Sequence, residues 1–136
     1  MSERYQAPVA VLGRLLLAAI FLVSPLANLI PNFGATADAM REAGMPLPSI
    51  LLALAIIVLI VGALALISGY RARWGAALLL AFLIPATYYF HAPWNASDAA
   101  EASQQIIHFL KNLALMGAML LVIVTGPGPG SVERTR

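Results

Sequence analysis

The stretch Ser49-Ile-Leu-Leu-Ala-Leu-Ala-Ile-Ile-Val-Leu-Ile-Val-Gly-Ala-Leu-Ala-Leu-Ile-Ser-Gly69 decides the fold. It carries no charge, shows no strand-like alternation, and is long enough to cross a bilayer, which takes about 20 mainly apolar residues. Backbone N–H and C=O groups find no water in hydrocarbon, so such a stretch must be a helix, which pairs them internally. The pattern repeats along the chain. Residues 15–37, 43–70, 74–97 and 112–132 contain no Asp, Glu, Lys or Arg. With the local punctuation this predicts four helices, near 8–30, 49–69, 73–91 and 98–125. The fold class expected is all-α: an integral membrane four-helix bundle forming one domain over residues 1–130, with a polar, mobile tail at 131–136.

Composition agrees. Of 136 residues 61% are hydrophobic and 10% charged, and the mean hydropathy is +0.87. Soluble domains average about 45–50% apolar and 25% charged residues. Eight Lys+Arg against six Asp+Glu leave a net charge of +2, too little for a nucleic-acid surface. The absence of cysteine removes disulfides, thiolate metal sites, iron–sulfur clusters and thiol nucleophiles.

Helix ends carry their own marks. Pro8 suits the first turn of helix one, where a missing N–H costs nothing. Thr36 can cap a short surface helix over Thr36–Ala43. Asp98 with Glu101 three residues on resembles a capping box. Gly126-Pro-Gly-Pro-Gly130 stops helix four. Arg4, Arg71, Arg73, Arg134 and Arg136 fall on one side of the four spans, against Arg41 and Lys111 on the other. The positive-inside rule then puts both termini and the 70–73 turn in the cytoplasm, with loops 31–48 and 92–105 outside. The expected location is the cytoplasmic (inner) membrane, as a multi-pass protein. A cleaved signal peptide over residues 1–27 is disfavoured, because three spans follow and no clean cleavage site is present.

The informative residues are those that do not belong in lipid. Arg14 lies about two turns into helix one. It either snorkels to headgroups or acts as a structural intramembrane charge, anchoring to Ser68, Thr125 or a partner subunit. Toward the other face, His108, Lys111 and Asn112 occupy the first membrane turns of helix four, with Asn28, Tyr88, Tyr89 and His91 at similar depth. Two readings stand. One is an interfacial anchoring belt. The other is an outward pocket in which His91, His108, Lys111, Asn112 and Tyr88 hydrogen-bond a quinone or a lipid headgroup. Catalytic residues are not identified. The two histidines without cysteine make a poor metal site, and no phosphate loop or nucleophile constellation is present.

The run His108-Phe-Leu-Lys-Asn-Leu-Ala-Leu-Met-Gly-Ala-Met-Leu-Leu-Val122, followed by Thr125-Gly-Pro-Gly128, resembles the fourth helix of the DoxX family of small four-helix membrane proteins. Arg14, Thr36-Ala-Asp-Ala-Met-Arg-Glu-Ala-Gly-Met-Pro46, Gly69-Tyr-Arg-Ala-Arg73 and Phe90-His91 extend the likeness over nearly the whole chain. The resemblance implies association with quinol oxidase or thiosulfate–quinone chemistry, or organisation of redox and oxidative-stress proteins. Family members often carry a lysine late in helix one and a glutamate in helix two. Leu29 and Leu59 stand there here, so proton-coupled activity is not expected of this chain. The expectation is a non-catalytic accessory subunit of a membrane redox or respiratory complex, with quinone as its only cofactor contact. The partners expected are the lipid bilayer and a larger membrane complex or further copies of itself, without nucleic acid. The competing functions are a quinone-reactive oxidoreductase subunit and a small transporter.

Overall fold

The computed structural model describes residues 3–133. Arg134 and Arg136, counted above among the topology-setting arginines, lie outside the described residues. The elements are α1 (Glu3–Ser24), a π-helical turn (Pro25–Leu29), α2 (Phe33–Glu42), α3 (Pro48–Ser68), α4 (Ala72–Phe90), a 3-10 turn (Pro93–Asn95) and α5 (Ala99–Thr125). Among the described residues there is no strand, and four helical segments are long and apolar enough to cross a membrane.

Several boundaries differ from the sequence reading for local reasons. The first helix starts at Glu3, so Pro8 is interior; its ring removes only the bond to the Arg4 carbonyl, in the helix's second turn. At the other end of the same helix, Pro25 cannot donate to the turn before it. The chain widens into one π turn, closed by the Ile30 N–H to the Pro25 carbonyl at 3.0 Å. Thr36 is not a cap. Helix α2 begins at Phe33 with Asn32 before it, and the Thr36 N–H already bonds the Asn32 carbonyl at 2.9 Å. The early start lets Phe33 pack with Ala37 and Met40 against Leu52 and Ile56 of α3.

Helix α5 starts as expected. The Asp98 carboxylate accepts from the Glu101 N–H at 2.8 Å, but the Glu101 carboxylate returns to the Ser97 N–H at 2.9 Å, one residue early. Leu47 and Arg71 precede α3 and α4 at φ 47° and 48°, a left-handed geometry costing about 1–2 kcal/mol for a residue with a Cβ. Each is the last residue of a short connection, five residues (43–47) before α3 and three (69–71) before α4.

The packing order is α1 on α3, α3 on α4 and α4 on α5, with α2 lying on α3. Ala18, Phe21, Leu59, Ala63, Leu66, Ala76, Leu79, Leu83 and Met119 form the central core. Helices α3 and α4 approach closely because of two glycines. A Cβ on Gly62 would sit 2.5 Å from the Leu79 Cγ, and one on Gly75 would sit 2.5 Å from the Ala65 Cβ. Small residues at such crossings are the usual way to gain dispersion contact in lipid, where no hydrophobic drive holds helices together.

Candidate functional site

The bundle has two unlike ends. At the end of the α3–α4 turn, Arg14 is 6% exposed and meets neither Ser68 nor Thr125. Those hydroxyls bond carbonyls of their own helices, Leu64 at 2.8 Å and Leu121 at 2.7 Å. The guanidinium instead donates to three backbone carbonyls of the glycine–proline segment: Nη1 to Pro127 at 2.6 Å and Pro129 at 3.3 Å, Nη2 to Gly130 at 2.8 Å. Gly126, Gly128 and Gly130 all have φ between 71° and 81°, which only glycine adopts freely. That alternation with proline turns the carbonyls onto one side. The Nε atom is buried without a partner among the described residues.

The tail continues across the same end and is held there. Val132 N–H donates to the Ser68 carbonyl at 2.9 Å, and the Glu133 carboxylate accepts from the Arg71 N–H at 2.9 Å. Residues 131–133, expected as part of a mobile tail, lie against this end of the bundle. Backbone acceptors on Ser68 and donors on Arg71, left over where two helices end, pair with it.

The other end gathers most of the polar residues singled out in the sequence. His91 follows the last turn of α4, its N–H on the Thr87 carbonyl at 3.1 Å. Its ring lies 5.0 Å from that of His108 on α5, tilted by 32°. Its Nδ1 lies 3.2 Å from Gln105 Oε1, a contact in which Nδ1 donates when it carries the ring proton. Lys111 Nζ lies 3.5 Å from His108 Nδ1. Asn112 turns inward instead. It is buried, and its amide donates to Thr87 Oγ1 at 3.0 Å, while Thr87 donates to the Leu83 carbonyl at 2.6 Å. Tyr88 is exposed, edge-on to Tyr89 at 5.2 Å. The structure thus joins His91, His108 and Lys111, makes Asn112 a link between helices, and leaves Tyr88 on the surface.

Sequence reasoning missed a cavity of about 540 Å³ between α1, α2, α3 and α4. Asn28 and His91 line it, and so do Ser24, Thr36, Met40, Ala55, Pro85 and Phe90. Gln105 and Thr87 were also overlooked, being ordinary polar residues whose roles depend on which helix faces them.

The DoxX family model matches residues 9–92, from α1 past the end of α4. Helix α5, which carries the His108–Val122 run, lies beyond that match. Inner membrane protein YphA of Escherichia coli (strain K12) is 27% identical over 123 residues, covering 90% of this chain and 86% of that protein. Inner membrane protein YqjF of the same strain is 30% identical over 122 residues, covering 90% and 87%. Alignments of that length reach into α5. No solved structure is a significant match. The chain is an integral membrane protein of the DoxX family.

Proposed function

We propose that this protein is a non-catalytic accessory subunit of an inner-membrane redox complex, with both termini in the cytoplasm. One face of α5 seats a partner helix, and the outer turn of that helix meets a quinone or lipid headgroup. The observation that carries the reading is the exposure of α5. It is the least buried of the four spans and packs mainly on α4. Its free face presents Leu110, Leu113, Leu121 and Val124. Nothing lies within 4 Å of where a Cβ on Gly117 would stand. A glycine in an apolar spanning face lets another backbone approach closely.

His108 and Lys111 stand on the same helix, against His91. Together they offer ring nitrogens and an ammonium at the depth where headgroups lie, which suits a carbonyl or phosphate oxygen. Extraction in a mild detergent should bring down a larger membrane protein in fixed ratio. Gly117→Leu should lose that partner without lowering the isolated chain's unfolding temperature, because the new Cβ meets nothing of its own fold and helix propensity favours the change. A chain that purifies alone, or a partner retained by Gly117→Leu, would overturn the reading.

A further inference from the structure

The cavity between α1, α2, α3 and α4 has a shape and a chemistry of its own. Its polar side chains are Ser24, Asn28, Thr36 and His91, and no Asp, Glu, Lys or Arg lines it. These four stand near one end: Ser24 and Asn28 at and within the π turn, Thr36 on α2, His91 after α4. The rest of the wall is hydrocarbon and thioether, from Met40 and Met45 near α2 to Val58 and Leu78 on α3 and α4. Val58 is ten residues past Pro48, about 15 Å along the helix at 1.5 Å per residue. The apolar shaft therefore reaches about half the depth of a hydrocarbon core of about 30 Å. Leu54 and Leu78 line it and are exposed on the bundle surface, so it opens sideways to lipid.

The cavity follows from particular residues. Pro25 and Pro85 interrupt the backbone ladders of α1 and α4 beside it. A π turn of this kind is rare and often marks a functional position. Ala55, Ala81 and Ala86 put small side chains where larger ones would fill the space. Its volume lies in the range of small-molecule pockets, about 300–1,000 Å³.

We propose that this cavity binds an uncharged amphiphile, a molecule with a long apolar body and a compact head bearing a carbonyl or hydroxyl oxygen. The head lies among Ser24, Asn28 and Thr36, whose hydroxyls and amide donate and accept hydrogen bonds without a formal charge. The body fills the shaft, entering from the bilayer on the side where Leu54 and Leu78 are exposed. A head with a formal charge is disfavoured, because no Asp, Glu, Lys or Arg lines the cavity to offset it. This site needs only the membrane placement of the bundle, not the partner complex proposed above.

The test uses the full chain, purified in detergent, with three probes: decylubiquinone, dioctanoylglycerol and short-chain phosphatidylglycerol. Bound probe is counted by native mass spectrometry, and unfolding temperature is read in parallel. One or both neutral probes should bind one to one and raise the unfolding temperature with concentration. Decylubiquinone alone would identify a quinone site, dioctanoylglycerol alone a neutral-glyceride site, and either supports the proposal. Ala55→Phe, which blocks the shaft, should weaken binding by at least about tenfold, the equivalent of about 1.4 kcal/mol. Thr36→Val, a near-isosteric change that leaves the shaft open, should weaken it about fivefold through one lost hydrogen bond. Phosphatidylglycerol binding as tightly as the neutral probes would overturn the proposal. So would binding of neither neutral probe, or affinity unmoved by both variants. Gly117→Leu should leave the binding intact, which separates failure here from failure of the partner reading.

Discussion

A guanidinium at the depth of Arg14 is tolerable only because protein carbonyls replace water around it. Unsheltered at the centre of a spanning helix it would cost about 2.5–3.5 kcal/mol on insertion scales. Here three carbonyls converge on it from Pro127, Pro129 and Gly130. Arg14→Ala should destabilise the bundle by about 3 kcal/mol, since hydrogen bonds to a charged group are each worth about 1.5–3 kcal/mol and the carbonyls would be left buried and open. Arg14→Lys should recover only part of that, because an ammonium has no planar fork to reach several acceptors at once. Chemical or thermal unfolding in detergent reads both. An unchanged midpoint for Arg14→Ala would mean that the tail is held by other contacts. The Asn112–Thr87 pair is a second residue-scale case. A double-mutant cycle with Asn112→Leu and Thr87→Val should give a coupling of about 0.6–1.7 kcal/mol, the span from the average to the largest value measured for such bonds between spanning helices. Coupling near zero would make their contact incidental.

At the scale of elements, α3 and α4 meet through Gly62 and Gly75. Gly75→Ala should cost about 1–3 kcal/mol by overpacking, because the nearest atom is the Ala65 Cβ, which cannot rotate away. Gly62→Ala should cost less, since its nearest atoms belong to the Leu79 side chain. Gly13→Ala is the control. It meets nothing within 4 Å and should gain about 0.5–1 kcal/mol from helix propensity alone. Unfolding midpoints in one detergent would rank the three, and a Gly75→Ala variant as stable as Gly13→Ala would contradict the close approach. The four spans themselves were legible in the sequence, because uninterrupted apolar runs of that length allow little else. What happens at their ends was not. Pro25 announces a disturbance, but whether a helix kinks, stops or widens depends on what packs against it. The start of α2 at Phe33 depended likewise on a pocket supplied by α3.

The whole molecule is a bundle with one clasped end and one open end. The clasp was hidden because its acceptors are backbone carbonyls, which no residue type betrays. The cavity was hidden because it is a space left by four separated segments, marked in the sequence only by alanines and prolines common in any membrane helix. The polar cluster was half legible. His91, His108 and Lys111 do come together, whereas the inward turn of Asn112 depended on Thr87 facing it from α4.

The orientation of this bundle ties the proposed partner complex and its headgroup contact to a side of the membrane, and cysteine labelling measures it directly. The chain has no cysteine, so a single introduced thiol reports one position. Ala35→Cys on α2 and Tyr70→Cys at the α3–α4 turn are both at exposed positions. Intact cells would be treated with a membrane-impermeant maleimide before and after lysis. Labelling of Ala35→Cys in intact cells, with Tyr70→Cys reacting only after lysis, is the predicted result. The opposite pattern, or equal labelling of both in intact cells, would contradict a bundle that crosses the membrane with its α2 end outside.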